Sequence, residues 1–270
     1  DRYKANELRS NQMFQKHRCR MSKTVSLTIN KNLAEITMDD GKANVLSHSM
    51  FEQLEKAFDA AENEKKIVLL RGRDGLFSGG FDLKEISKGP KEAIALTTRG
   101  SQFARRIIAF PTPVIGFSTG HCIAMGAFLM LACDYRIGLE GEFKIGLNEV
   151  SVGVPPSQRM IDSYSFVLGD AISSKLTLQG SLLSPIEALK YGLVDQLSEK
   201  DLVITNAEKK MDEMLKGDFN IYKFAKKKLR SNLLSKLNYN DENELTEILK
   251  IWWEPSSRYR IKNLITKLKK

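Results

Sequence analysis

Cysteine and histidine are scarce here, with three of each in 270 residues. The thiols, Cys19, Cys122 and Cys133, form an odd set with no paired spacing, which argues against a disulfide framework or a zinc site. Cys122 and Cys133 stand in apolar segments, where a thiol packs as a small hydrophobe. His17, His48 and His121 show no metal-ligand spacing either. His48 follows Ser47 and reads as a first-turn residue behind a helix cap. For His121 a packing or hydrogen-bonding role is favoured over a catalytic one. No apolar run reaches the roughly 18 residues of a membrane helix. Flavin, nicotinamide and metal motifs are missing, and the Gly79-Gly80 pair is not a dinucleotide fingerprint.

Acidic residues are also in deficit, 33 against 42 basic ones, for a net charge of +9. Much of the excess sits in Lys226-Lys227-Lys228 with Arg230, and in 258–270. We expect solvated helix faces there, with attraction for an anionic ligand as a secondary gain. RNA is a third reading, weakened by the small number of aromatics among those cations for base stacking. The first twenty residues are polar and basic without apolar periodicity, and read as a leader or extension ahead of Met21. They lack the apolar centre of a secretory signal, and Lys267-Leu268-Lys269-Lys270 is not a peroxisomal tail. A cytoplasmic location is the expectation.

What the chain does contain is an alternation of strands and helices. Thr24 to Asn30, Leu33 to Met38 and Ile67 to Gly72 have the β-branched, apolar character of strands. Ser47 to Glu62 carries Met50, Leu54, Ala57, Phe58 and Ala61 on one helical face. A second helix, Lys91 to Phe110, stops at Pro111 and Pro113. Pro113 to Phe117 is a further strand, followed by a turn at Gly120, an apolar helix from Met125 to Cys133 and a strand from Tyr135 to Leu139. Asp134 is expected to tie that helix to the strand after it. This order implies an α/β core with parallel pairing. Beyond Leu197 the pattern is helical. Trp252 and Trp253 are expected to anchor a helix interface.

Two turns and one acid stand out chemically. A strand end that feeds a helix start aims unpaired N–H groups at whatever lies above it. The Met125 helix start is one such place. The Gly79-Gly80 pair, which permits unusual dihedrals, is a second. Glu149 is a lone carboxylate in the mostly neutral segment IGLNEV, able to move a proton. Burial among apolar flanks would raise its pKa.

FSGGFDLKEI (77–86) resembles the first signature of the crotonase, or enoyl-CoA hydratase/isomerase, family. TGHCIAMGAFLMLACDYRI (119–137) resembles its second. LAEITMDDGKANVLS (33–47) and SPIEALKYGLVDQL (184–197) extend the similarity. The resemblance implies a ββα spiral core over 21–198 and a C-terminal helical trimerisation region over 199–270. A homotrimer or hexamer is therefore expected. It also implies an acyl-CoA thioester substrate, with coenzyme A entering as part of that substrate and no separate cofactor; no metal or membrane is expected, and RNA binding by a basic member of the family stays the less favoured alternative. By motif position the amides of Phe81 and Met125 become the two donors to the thioester oxygen, and Glu149 the acid/base group. Lys42, Ala43 and the run Phe77, Ser78, Gly79 and Gly80 become the coenzyme A contacts.

One departure decides the expected reaction. Family hydratases carry a second Glu on the helix after the second donor, and that position is Phe128 here. Hydration needs a water held and deprotonated, which Phe128 cannot do. Isomerisation needs one carboxylate, which takes a proton from C2 of a 3-enoyl thioester and returns it at C4. We therefore expect a 3-enoyl-CoA to 2-enoyl-CoA isomerase with Phe128 facing the acyl group. Hydration of 2-enoyl-CoA remains the alternative, since another acid can enter from 82–91.

Overall fold

The computed structural model describes residues 18–19, 24–30, 32–216, 218–238 and 242–268. The expected leader, 1–20, lies outside them except for the backbone of 18–19, as does Gly217. Strands β1 (Arg18–Cys19), β2 (Val25–Ile29) and β3 (Leu33–Met38) pair antiparallel in sequence. Helix α1 (His48–Asn63) starts at Ser47, whose side chain accepts the Met50 amide. β4 (Ile67–Arg71) then pairs parallel with β3.

From here the chain repeats one unit. β5 (Gly75–Ser78) leaves the first sheet, and α2 (Leu83–Ile86) and α3 (Pro90–Ala109) return it to β6 (Val114–Ser118), parallel to β4. β7 (Gly120–Ile123) leaves again, and α4 (Met125–Ala132) returns it to β8 (Tyr135–Leu139), parallel to β6. β9 (Ile145–Gly146) leaves a third time, followed by α5 (Glu149–Val152), α6 (Gln158–Leu168) and α7 (Asp170–Gln179). β10 (Leu182–Leu183) and α8 (Pro185–Tyr191) lead to β11 (Gln196–Ser198), parallel to β8. Among the described residues one sheet has seven strands in the order β1-β2-β3-β4-β6-β8-β11, and the other four, β10-β9-β7-β5. This is the ββα spiral that the sequence led us to expect.

The second sheet was not legible. The sequence assigns Gly75–Ser78 to no strand and reads Gly120 as a turn, yet the first is a strand and the second opens one. β5 and β7 pair with each other and not with sequence neighbours, so no local pattern marks them.

β4 and β6 are buried along almost their whole length because the large sheet is covered on both faces. One face meets α1 and α3, where Phe58 stands edge-on to Phe103 and Phe110 with centroids 5.2 and 5.1 Å away. The other face, with Leu69, Ile115 and Ile137, meets Val203, Ala207 and Met211 of α9 (Val203–Met214).

The last helices are α10 (Phe219–Lys236), α11 (Glu242–Trp252) and α12 (Pro255–Leu268). Trp252 is buried and meets Trp253 edge to face, as expected of an anchor. One expectation is corrected here. Lys226 is not on a solvated face but buried, its Nζ 2.6 Å from Asp134 and 3.2 Å from the Thr112 carbonyl. Burial lowers its pKa, and Asp134 opposes that shift. Arg230 takes the other Asp134 oxygen at 2.8 Å. Asp134 also accepts the Val114 amide, so one carboxylate ties α4, β6 and α10 together. Two cations of this run thus serve the fold, which leaves the RNA reading with Lys227 and Lys228, both exposed, and with the second basic stretch, 258–270.

Candidate active site

The small sheet builds the site. β5, β7 and β9 are parallel neighbours, so their C-terminal ends point the same way. β5 ends in Gly79-Gly80-Phe81, β7 in Ala124-Met125, and β9 in Leu147-Asn148-Glu149. Each strand delivers one of the three groups singled out in the sequence.

Among the described residues neither proposed donor amide pairs with a main-chain carbonyl. At the first turn, the Leu46 amide donates to Gly80 O and the Asp82 amide donates to Leu46 O, at 2.8 and 3.3 Å. This parallel bridge uses the groups on either side of Phe81 and turns the Phe81 N–H the other way. At the second turn, Met125 is the first residue of α4, so its N–H has no carbonyl within the helix. The helix dipole adds positive character there. The turns abut: a Cβ placed on Gly80 would lie 3.5 Å from the Met125 nitrogen. Ala124 precedes the second donor with φ 52° and ψ −124°, a strained backbone for a residue with a side chain. The side chains of Phe81 and Met125 turn inward and meet at Gly100 of α3, where a Cβ would fall 2.6 Å from the Phe81 ring.

Asn44, which the sequence did not single out, latches the first turn. It is fully buried at φ 47°. Its Nδ2 donates to the carbonyls of Met38 (2.9 Å) and Phe77 (3.2 Å), and its Oδ1 accepts the Asp40 amide. The Ser78 hydroxyl donates to Asn44 O at 2.7 Å and accepts the Gly80 amide at 3.1 Å. Truncating Asn44 would orphan several buried groups. Asn44→Ala is expected to cost about 2 kcal/mol of stability, read from the urea midpoint.

Glu149 opens α5 and is buried, 7% exposed. Its Oε1 has no hydrogen-bond partner. Burial raises its pKa to about 7, opposed only by its own main-chain N–H. No other charged group contributes to that shift among the described residues. Phe128, on the first turn of α4, is 2% exposed and meets Tyr164 of α6 edge to face, 5.7 Å between centroids. Tyr164 is fully buried and was also missed by the sequence reading.

The remaining expected contacts divide. Lys42 and Ala43 are exposed beside the first turn, with Ala43 O accepting the Gly79 amide at 2.9 Å. The Arg73 guanidinium donates to Lys42 O, which adds a second cation to this edge. Gly79 is exposed, whereas the side chains of Phe77 and Ser78 are buried and leave only main chain for a ligand. His121 accepts the Lys144 amide at Nδ1 and stands edge-on to Phe143. It packs, as expected.

Known proteins resemble this chain over most of its length. A family model described as "Enoyl-CoA hydratase/isomerase" matches residues 28–251. A protein named "Probable enoyl-CoA hydratase" from Bacillus subtilis is 32% identical over 174 residues, 63% of this chain and 67% of its own. The rat protein named "Enoyl-CoA delta isomerase 1, mitochondrial" is 29% identical over 184 residues, 66% of this chain and 64% of its own. Among solved structures, an enoyl-CoA hydratase/isomerase family protein from Pseudomonas syringae superposes with a TM-score of 0.81 at 33% identity, covering 85% of this chain and 100% of that one.

Proposed function

The chain belongs to the enoyl-CoA hydratase/isomerase family, and within it we propose that the chain moves the double bond of a 3-enoyl-CoA to the 2-position. The observation that carries this reading is the pairing of Glu149 with Phe128. Glu149 has a pKa raised to about 7 by burial, and no second carboxylate contributes to it among the described residues. The ionised carboxylate takes a proton from C2. The electron pair delocalises over the thioester carbonyl and the C3–C4 double bond as a dienolate. The amides of Phe81 and Met125 hold the oxygen that gains charge, a contribution of about 3 kcal/mol for each such donor. The now neutral Glu149 gives the same proton to C4, and the double bond settles between C2 and C3. A carboxyl with its pKa near neutrality suits both halves of the step.

Lys42, assisted by Arg73, offers positive charge to the coenzyme A phosphates, with the Gly79 turn beneath. The trimeric or hexameric assembly stays part of this proposal, with Ile221, Phe224 and Leu229 of α10 as exposed apolar residues available to it. Among the described residues no helix is long and apolar enough to cross a membrane.

Hydration is the second reading, favoured by the similarity to the Bacillus subtilis protein named a probable enoyl-CoA hydratase. Turnover of medium-chain 3-enoyl-CoA and trans-2-enoyl-CoA, measured in parallel, separates the two. Conversion of the 3-enoyl ester without water addition to the 2-enoyl ester is the expected result. Rapid hydration would mean that another group holds the water and that the isomerase reading is wrong.

A further inference from the structure

Gly100 is buried in the middle of α3, a helix of 20 residues. Apart from proline, glycine is the poorest helix former, so a helix interior does not favour it. Nor does the backbone call for it, since Gly100 is not among the residues at positive φ. What the position requires is space. A Cβ on Gly100 would fall 2.6 and 2.7 Å from Cε1 and Cζ of the Phe81 ring, and 3.0 Å from Cε of Met125. For the ring this is about 1 Å inside ordinary contact. Phe81 and Met125 follow different strands, β5 and β7, and theirs are the two amides read as donors. One spot on a third element receives both side chains.

We propose that Gly100 is a positioning residue for the reaction, the shared seat on α3 for the side chains of Phe81 and Met125 that sets the spacing of their two amides. This rests on the reading of those amides as the donors to the thioester oxygen. The seat is held in place because α3 is tied to α1. Arg99 pairs with Glu55 at 2.7 Å and Arg106 with Asp59 at 2.6 Å, while Phe103 stands edge-on to Phe58. The Phe81 ring has little room to swing aside. Its other ring neighbour is Phe51, 6.4 Å away between centroids, and Phe51 is fully buried against Phe103. The Met125 tip is an unbranched thioether and can bend away. A side chain at position 100 therefore pushes on Phe81 first. Turning Phe81 about its Cα carries its N–H along, while the Met125 amide stays at the start of α4. The two donors then no longer converge on one oxygen.

Gly100→Ala in the full chain tests this. We expect kcat with 3-enoyl-CoA to fall by about 10²-fold, the scale of a misplacement of about 1 Å at the reacting groups, with KM nearly unchanged. The carbonyl gives a second readout that needs no turnover. Two amides on the thioester oxygen lower the infrared stretch of bound hexanoyl-CoA, isotope-labelled at that carbonyl, and the lowering should shrink in Gly100→Ala. Adding Phe81→Leu, which removes the ring atoms that meet the new methyl, should restore part of kcat and part of the lowering. A stability change that leaves kcat and the stretch untouched would overturn the proposal, as would a double variant no better than Gly100→Ala. If Gly100→Ala does not fold, the double variant decides. A folded double variant with the stretch lowered as in wild type supports the seat, and an unfolded one, or one with the stretch not lowered, ends it. A wild-type chain that only hydrates refutes the isomerase reading, yet the stretch still tests Gly100. A wild-type chain that leaves the stretch at its value in water refutes the donor reading, and the proposal falls with it.

Discussion

Glu149→Gln is expected to lose about 10³-fold or more in turnover while gaining stability at alkaline pH. The first half follows from the single-carboxylate mechanism. An amide neither accepts the C2 proton nor returns one, and acid/base groups contribute about 10²- to 10⁴-fold. The second half follows from the buried charge. Burial raises the folded-state pKa from 4.5 to about 7. A raised folded pKa means that the stabilising form is the neutral one. Its contribution is complete below about 4.5 and is lost as pH rises through about 7. The wild-type chain therefore weakens over that window, by on the order of 3 kcal/mol for this shift. Gln resembles the protonated acid and escapes the loss. Urea unfolding at pH 8 should show the variant more stable than wild type, with the gap closing toward pH 5. Loss of activity without this crossover would mean that Glu149 is not held in an apolar site. For the wild type, the same ionisation should make turnover rise with pH through about 7, since the base form is the reactive one.

How much of this was readable in the chain depends on whether the signal was local. α1 and α3 declared themselves through apolar periodicity and a Pro stop, and Ser47 marks the start of α1 by its cap. The Gly79-Gly80 turn, the Met125 helix start and Glu149 stood out because each follows a strand end or sits alone in a neutral segment, and the resemblance to the family assigned the donor role to Phe81 and Met125. What was missed depends on contacts distant in sequence. β5 becomes a strand against β7, and β7 against β5 and β9. Asn44 bonds Met38 and also Phe77, which stands 33 positions after Asn44 itself. Tyr164 looks like any core aromatic until α6 packs it on Phe128. Lys226, inside a run of lysines, reads as solvated until Asp134 is found 92 positions earlier. Charge runs suggest exposure, but one member of a helical run can face inward when a buried acid waits for it.

Gly80→Ala offers the sharpest test of the two-amide arrangement, because Gly80 lies between the donors. Its φ is 97°, a region that L side chains rarely adopt. A Cβ there would stand 3.1 Å from the Ala124 side chain and 3.3 Å from Ile123 O. Both neighbours belong to the turn that carries the Met125 amide, and Ala124 is already strained. The added methyl can fit only if the turns separate, and that moves both donors relative to a common oxygen. Misplacing one such donor costs about 10²- to 10³-fold in kcat, which is the loss expected here, with KM less affected because the ground-state carbonyl carries little charge. Gly79→Ala is the matched comparison. Gly79 is exposed, and its Cβ would meet only Ala43, at 3.3 and 3.7 Å. If coenzyme A lies over this turn, that variant should raise KM and spare kcat. Equal losses of kcat in both would mean that general loosening of the loop, and not the spacing of the two amides, limits the reaction.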